Sequence, residues 1–186
     1  EGYKMTEVGV IPEDWEIKTL SDVAKINMGQ SPSSEFYNTK EIGLPLIQGN
    51  ADVNGRKTID RVYTSQITKK CSAGDIIMSV RAPVGKIAKA RYDSCIGRGV
   101  CAISSSNDFL YHYLILIEDT WTSISKGSTF DSINSEDIKN LKIAHPSLQE
   151  QKAIAEVLSD IDNLITSLEK LIDKKQKIKQ GTMQQL

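Results

Sequence analysis

The amino-acid sequence predicts an α+β fold: a β-rich domain enclosing one buried helix over residues 1–146, then a long coiled-coil helix over residues 147–186. Three observations predict it. Short apolar runs bounded by turn residues fill the chain to about residue 146, one stretch near Phe109 is apolar almost all round, and beyond Pro146 apolar residues recur every seven positions.

The runs Leu46-Ile47, Asp75 to Val80, Lys86 to Ala90, Gly99 to Ile103 and Leu141 to Ile143 read as strands. Gly29-Gln30-Ser31-Pro32, Gly49-Asn50, Asn54-Gly55, Pro83-Val84-Gly85 and Gly97-Arg98-Gly99 punctuate them as turns, so many polar loops leave one scaffold. Phe109 to about Glu118 reads as the buried helix, with Asn107-Asp108 placed to cap its first turn. Pro146 ends the last strand, and Ser147 with Glu150 forms a capping box that opens the long helix. Up to about Lys179 this helix carries three apolar tracks: Val157, Leu164, Leu171, Ile178; Ile154, Ile161, Leu168; and Leu158, Ile165, Ile172. A helix of ~33 residues reaches ~50 Å, further than one small domain can cover, so the seam is expected to meet a second helix.

Composition narrows the function. The 186 residues are 25% charged with a net charge of −1, which excludes a histone-like polycation and an acidic disordered tail. No apolar run approaches the ~18 residues of a membrane span, and no basic leader precedes an apolar stretch, so a cytoplasmic protein without membrane contact is expected. Cys71, Cys95 and Cys101 lack metal-ligand spacing and read as buried reduced thiols. Charge is uneven: residues 44–104 hold 10 basic and 4 acidic side chains, whereas residues 1–43 hold 4 and 8. Only the middle segment suits a polyanion.

Motifs for chemistry fail. Glu16-Ile17-Lys18 after Pro12-Glu13-Asp14 imitates a metal-dependent nuclease, but carboxylates two residues apart read as a turn. Pro83-Val84-Gly85-Lys86-Ile87 resembles the end of a phosphate-binding loop without its first glycine or its magnesium-binding hydroxyl. His112 and His145 have no nucleophile in an elbow context and read as structural, as does Trp15. No dinucleotide or S-adenosylmethionine fingerprint is found either.

Particular words go further: Thr6-Glu7-Val8-Gly9-Val10-Ile11-Pro12-Glu13-Asp14-Trp15-Glu16, Leu20-Ser21-Asp22-Val23, Gly29-Gln30-Ser31-Pro32 and Ala73-Gly74-Asp75 through Lys86. They continue with Gly127-Ser128-Thr129-Phe130, Leu141-Lys142-Ile143-Ala144-His145-Pro146-Ser147-Leu148-Gln149-Glu150-Gln151 and the ending Ile178 to Leu186. In this order they resemble the specificity subunit of type I restriction-modification enzymes over nearly the whole chain. The resemblance implies a target recognition domain reading one half of a bipartite sequence in double-stranded DNA, followed by a conserved helical spacer. It implies no catalysis and no cofactor in this chain: S-adenosylmethionine belongs to a methyltransferase subunit, and ATP with Mg2+ to a restriction subunit, both assembled around the specificity subunit. Family members usually carry two recognition domains and two helices, so the chain is expected to be a half subunit, natural or truncated.

On that reading Arg56, Lys57, Arg61, Arg81, Lys86, Arg91 and Arg98 pair with phosphates, while Gln30, Ser31, Asn50, Asn54 or an arginine fork reads base edges. Arg81 and Arg98, between glycine or proline turns, rank above Lys89. The seam residues Ile154, Val157, Leu158, Ile161, Leu164, Ile165, Leu168, Leu171 and Ile172 are the expected contact of an antiparallel homodimer. A competing class is a structural coiled-coil adaptor without specific DNA binding. A self-sufficient nuclease or methyltransferase would need a metal or cofactor site that these motifs do not provide.

Overall fold

A computed structural model describes residues 2–121 and 132–183 of the chain. The Gly127-to-Phe130 word lies outside the described residues. Two sheets carry the globular part. One has six strands in the order Lys25–Met28, Val100–Ser104, Ile76–Ser79, Ile87–Lys89, Lys57–Thr58, Val53–Asn54. The other has five, in the order Lys70–Cys71, Ser94–Ile96, Leu44–Ile47, Tyr63–Thr64, Tyr37–Asn38.

The central strand Ile76–Ser79 shows why its sequence does not alternate. Met78 stands opposite Cys101 on one side and Ile87 on the other, and every residue of the strand is buried. Ile76 and Met78 enter one core with Leu20, Ile103, Leu110 and Leu114, while Ile77 enters a second with Ile47, Ile96 and Ala102. A strand covered on both faces has no solvent side to place polar residues on. The second core joins residues of both sheets, and Cys71, Cys95 and Cys101 are free thiols buried in the interior. Burial pushes the Cys101 thiol up to about 12, a value that leaves it protonated at neutral pH.

Among the described residues four helices lie against or beyond the sheets: α1 (Leu20–Val23), α2 (Phe109–Leu116), α3 (Ser135–Lys139) and α4 (Leu148–Met183). The Phe109 amide donates to Asn107 Oδ1 at 2.9 Å, so Asn107 supplies the cap expected for α2. α2 buries Phe109, Leu110, Tyr111 and Leu114 but leaves Leu116 79% exposed, so one side of its last turn faces away from the core. The expected turn is present at Glu13-Asp14, closed by the Trp15 amide on Pro12 O at 3.2 Å, but Glu16 already begins a strand. That strand, Glu16–Thr19, pairs antiparallel with Lys142–His145. Glu16 is bound by Lys18 at 3.0 Å, and among the described residues no cluster of His, Cys, Asp and Glu could hold a metal ion.

α4 opens on the capping box: the Ser147 amide donates to Glu150 Oε2 at 3.1 Å and the Glu150 amide to Ser147 Oγ at 3.3 Å. The helix runs 36 residues, past the expected end at Lys179 and through Gly181. One glycine costs a helix only about 1 kcal/mol and no proline follows to stop it. Among the described residues no helix is long and apolar enough to cross a membrane.

Candidate nucleic-acid interface

Three polar segments meet beside the sheets, and glycine is what lets them meet. A Cβ on Gly99 would stand 2.0 Å from Gln48 O, and one on Gly29 would stand 2.1 Å from Gly97 O. Main chain therefore packs directly on main chain, as no other residue would allow. Hydrogen bonds close the arrangement: Gly29 N to Val100 O at 3.0 Å, Gln30 N to Ile96 O at 2.9 Å, Gly97 N to Ile47 O at 2.8 Å and Val80 N to Gly99 O at 2.9 Å. Asp52, buried, accepts the Gln48 amide at 2.8 Å and fixes the loop that follows.

Between these segments lies a cleft of about 510 Å³, lined by Ser31, Pro32, Ser34, Tyr37, Gln48, Arg81, Arg98 and Gly99. Among the described residues its lining includes two arginines and no acid. Neither Arg81 nor Arg98 has a carboxylate within ion-pair distance among the described residues, whereas many other cations of the basic segment do. Arg56 and Lys86 both bind Glu118, Lys86 at 2.6 Å. Burial pushes the Glu118 carboxyl up, but the hydrogen bonds from Lys86 and Arg56 outweigh it and hold the group below the usual carboxylate range. Lys89 bonds Asp108 at 2.5 Å and stands 4.7 Å over the Tyr111 ring, and Lys70 bonds Asp93 at 2.7 Å.

The residues singled out from sequence thus divide by place. Ser31, Arg81 and Arg98 share the cleft, with exposed Gln30 next in sequence. Asn50 is exposed at the start of the 3-10 turn Asn50–Asp52. Arg61 turns back onto Ala51 O at 2.8 Å and Asp52 at 3.7 Å, and Arg91 stacks 5.2 Å from the Tyr92 ring. Asn54, Arg56 and Lys57 line a different groove of about 810 Å³, against His112, Asp162 and Thr166. Gln48, Ser34 and Tyr37 were not foreseen. Nothing local marks them, except that Gln48 interrupts an apolar run directly before Gly49.

α4 grips the globular part by a polar, small-residue stripe. Gln151 and Ala155 are buried, and Ser159 Oγ lies 3.3 Å from His112 Nε2. Burial holds the His112 ring below the ordinary histidine value. Trp15 donates from Nε1 to Glu150 at 3.3 Å and meets Phe109 edge-on at 6.3 Å between centroids. The apolar seam points elsewhere. Val157, Leu158, Ile161, Leu164, Ile165, Leu168, Leu171 and Ile172 are all exposed, from 37% at Leu158 to 60% at Val157, and only Ile154 is half-buried.

The family profile for the type I restriction modification DNA specificity domain matches residues 12–180. A putative type I restriction enzyme specificity subunit, MjaX, of Methanocaldococcus jannaschii is 38% identical, covering 98% of this chain and 45% of its own. The EcoKI specificity subunit of Escherichia coli is 27% identical over 82% of this chain and 37% of its own. The crystal structure of the HsdS subunit from Thermoanaerobacter tengcongensis superposes with a TM-score of 0.73 at 33% identity, covering 91% of this chain and 42% of that one. A structure of a type I restriction-modification assembly gives 0.75 at 36% identity over 87% of this chain and 41% of that one. The chain spans under half the length of these relatives.

Proposed function

The chain belongs to the type I restriction-modification DNA specificity family, and from that premise we propose that it reads one half of a bipartite target in double-stranded DNA. Residues 1–146 act as the recognition domain and residues 147–186 as its helical spacer. The carrying observation is the cleft in which Arg81, Arg98, Gln48 and Ser31 converge with no acid among the described lining residues. Free arginines offer planar forks to phosphate oxygens or to guanine edges, and Gln48 offers an amide able to match adenine. Arg56 and Lys86, committed to Glu118, support the fold instead. Asn54 and Lys57 face α4 and lie off the DNA path.

The chain is the non-catalytic reader. Methyltransferase and restriction subunits bring S-adenosylmethionine, ATP and Mg2+ chemistry, and the chain scaffolds them on the target. This activity places it in the cytoplasm, where the DNA is.

The exposed seam takes the same helix of a second copy, antiparallel. Charge supports this orientation: residues 148–165 hold Glu150, Glu156, Asp160 and Asp162 against Lys152, while residues 166–183 hold Lys170, Lys174, Lys175, Lys177 and Lys179 against Glu169 and Asp173. An antiparallel pair sets each acidic half beside a basic half. One register opposes apolar to apolar on two of the three tracks: Ile154 to Ile172, Leu158 to Leu168 and Ile161 to Ile165 of the second copy. The adaptor reading leaves the paired arginines of the cleft without a role. Enrichment of random duplexes by the purified chain tests the proposal: an interrupted palindrome is expected, and enrichment of no sequence at all would overturn it.

A further inference from the structure

The heptad track Leu158, Ile165, Ile172 extends one step back to Gln151, where an apolar residue would have continued the seam. Gln151 is instead 6% exposed, and its amide is saturated. Nε2 donates to Pro146 O at 2.9 Å and to His145 Nε2 at 3.0 Å, while Oε1 accepts from Asn107 Nδ2 at 3.0 Å. Each orientation is forced. Pro146 O only accepts, so the amide nitrogen must point at it; Asn107 Oδ1 is taken by the Phe109 amide, so Asn107 must present its nitrogen. His145 Nε2 is then an acceptor, which puts its proton on Nδ1.

One amide therefore ties the root of α4 to the end of the strand Lys142–His145 and to the cap of α2. A second tie, Ser159 to His112, lies eight residues further along the helix, and two ties fix a direction. We propose that Gln151 is the positioning residue that sets the direction in which α4 leaves the recognition domain, and with it the separation of the two half-sites that a dimer accepts. This rests on the DNA-reading dimer proposed above. The lever makes the effect measurable. From Gln151 to Leu164, at the centre of the seam, a helix rises ~20 Å. A tilt of ~10° about Gln151 then displaces the seam centre relative to its recognition domain by ~3.4 Å, the size of one base-pair step.

The test uses the full chain, as wild type, Gln151→Met and Asn107→Ala. Each is offered duplexes that carry the enriched half-sites at all separations. Wild type is expected to favour one separation at least tenfold over its neighbours. Both variants should keep the same half-site bases and spread their preference over two or more separations. Folded variants that keep the wild-type separation at wild-type sharpness overturn the proposal, whereas a wild type that enriches no half-site removes the reading beneath it. A measurement without DNA guards against a variant that misfolds: spin labels at Thr39→Cys and Lys174→Cys, in chains diluted with unlabelled protein, should give a narrow distance distribution that broadens with Asn107→Ala. An unchanged distribution in that variant also overturns the proposal.

Discussion

Ser31 Oγ accepts a hydrogen bond from the amide of Arg98 at 3.1 Å, joining two loops 67 positions apart in the sequence. The bond holds the backbone of Arg98 and does not engage its guanidinium. The cleft is therefore organised before any ligand arrives, and among the described residues no carboxylate is paired with either of its two arginines, so an anion would not displace one.

Replacing Arg81 and Arg98 together by alanine should weaken DNA binding and reduce the slope of log affinity against log salt by up to ~2. Titrations at several salt concentrations, with circular dichroism on the same samples, check this. An unchanged slope in a folded variant places the DNA face elsewhere.

Gly99→Ala should destabilise the domain by about 1–3 kcal/mol, because the new methyl would overlap Gln48 O and push two loops apart. Gly49→Ala is the control: its Cβ meets nothing within 4 Å and its φ of 175° is ordinary extended backbone. Thermal unfolding of the pair is the measurement, and equal midpoints would contradict the close approach.

Glu118→Gln should cost about 1–3 kcal/mol, discounted because both cations are partly solvated, and should leave DNA affinity nearly unchanged. Denaturant melts and binding curves on one preparation separate the two effects. A loss of affinity without loss of stability would return Arg56 and Lys86 to the DNA face.

Acid should loosen the root of α4. Burial lowers the pKa of both His145 and His112 from the ordinary 6.5, so the folded state favours the neutral rings. The unfolded chain then binds protons more readily, and stability is lost as pH falls below about 6.5. Protonated His145 would set a donor against the Gln151 amide nitrogen. Melts between pH 7.5 and 5.5 should show the decline, and Gln151→Met should diminish it.

Leu164→Asp with Leu168→Asp should yield monomers, since pairing would bury four charges per dimer without partners. Sedimentation of both proteins decides it. A wild type that is monomeric at micromolar concentration removes the homodimer.

What was legible in the sequence was whatever is local. The capping box of Ser147 and Glu150 and the seven-residue repeat lie within a turn or two of helix, and both are realised in α4. The strand Ile76–Ser79 was legible as an unbroken apolar run. The hairpin of Tyr3–Thr6 and Gly9–Pro12 was not, nor were the two-residue strands at Tyr37–Asn38 and Tyr63–Thr64, because pairing partners rather than propensity define them. The commitment of cations was equally hidden: Glu118 is 62 positions from Arg56, and a charge count cannot see which lysine or arginine has already found its acid.

The glycine contacts at Gly29 and Gly99 separate what must stay constant from what is free to change. The loops are held by peptide groups together with Ser31 Oγ and the Asp52 carboxylate, and among the described residues no hydrogen bond of that frame uses the side chain of Gln48 or Arg98. Exchange at those two positions alters the chemistry facing a ligand while the lattice of main-chain bonds behind it is conserved. Substitution at these display positions therefore changes the chemistry of the cleft with no compensating change in the core.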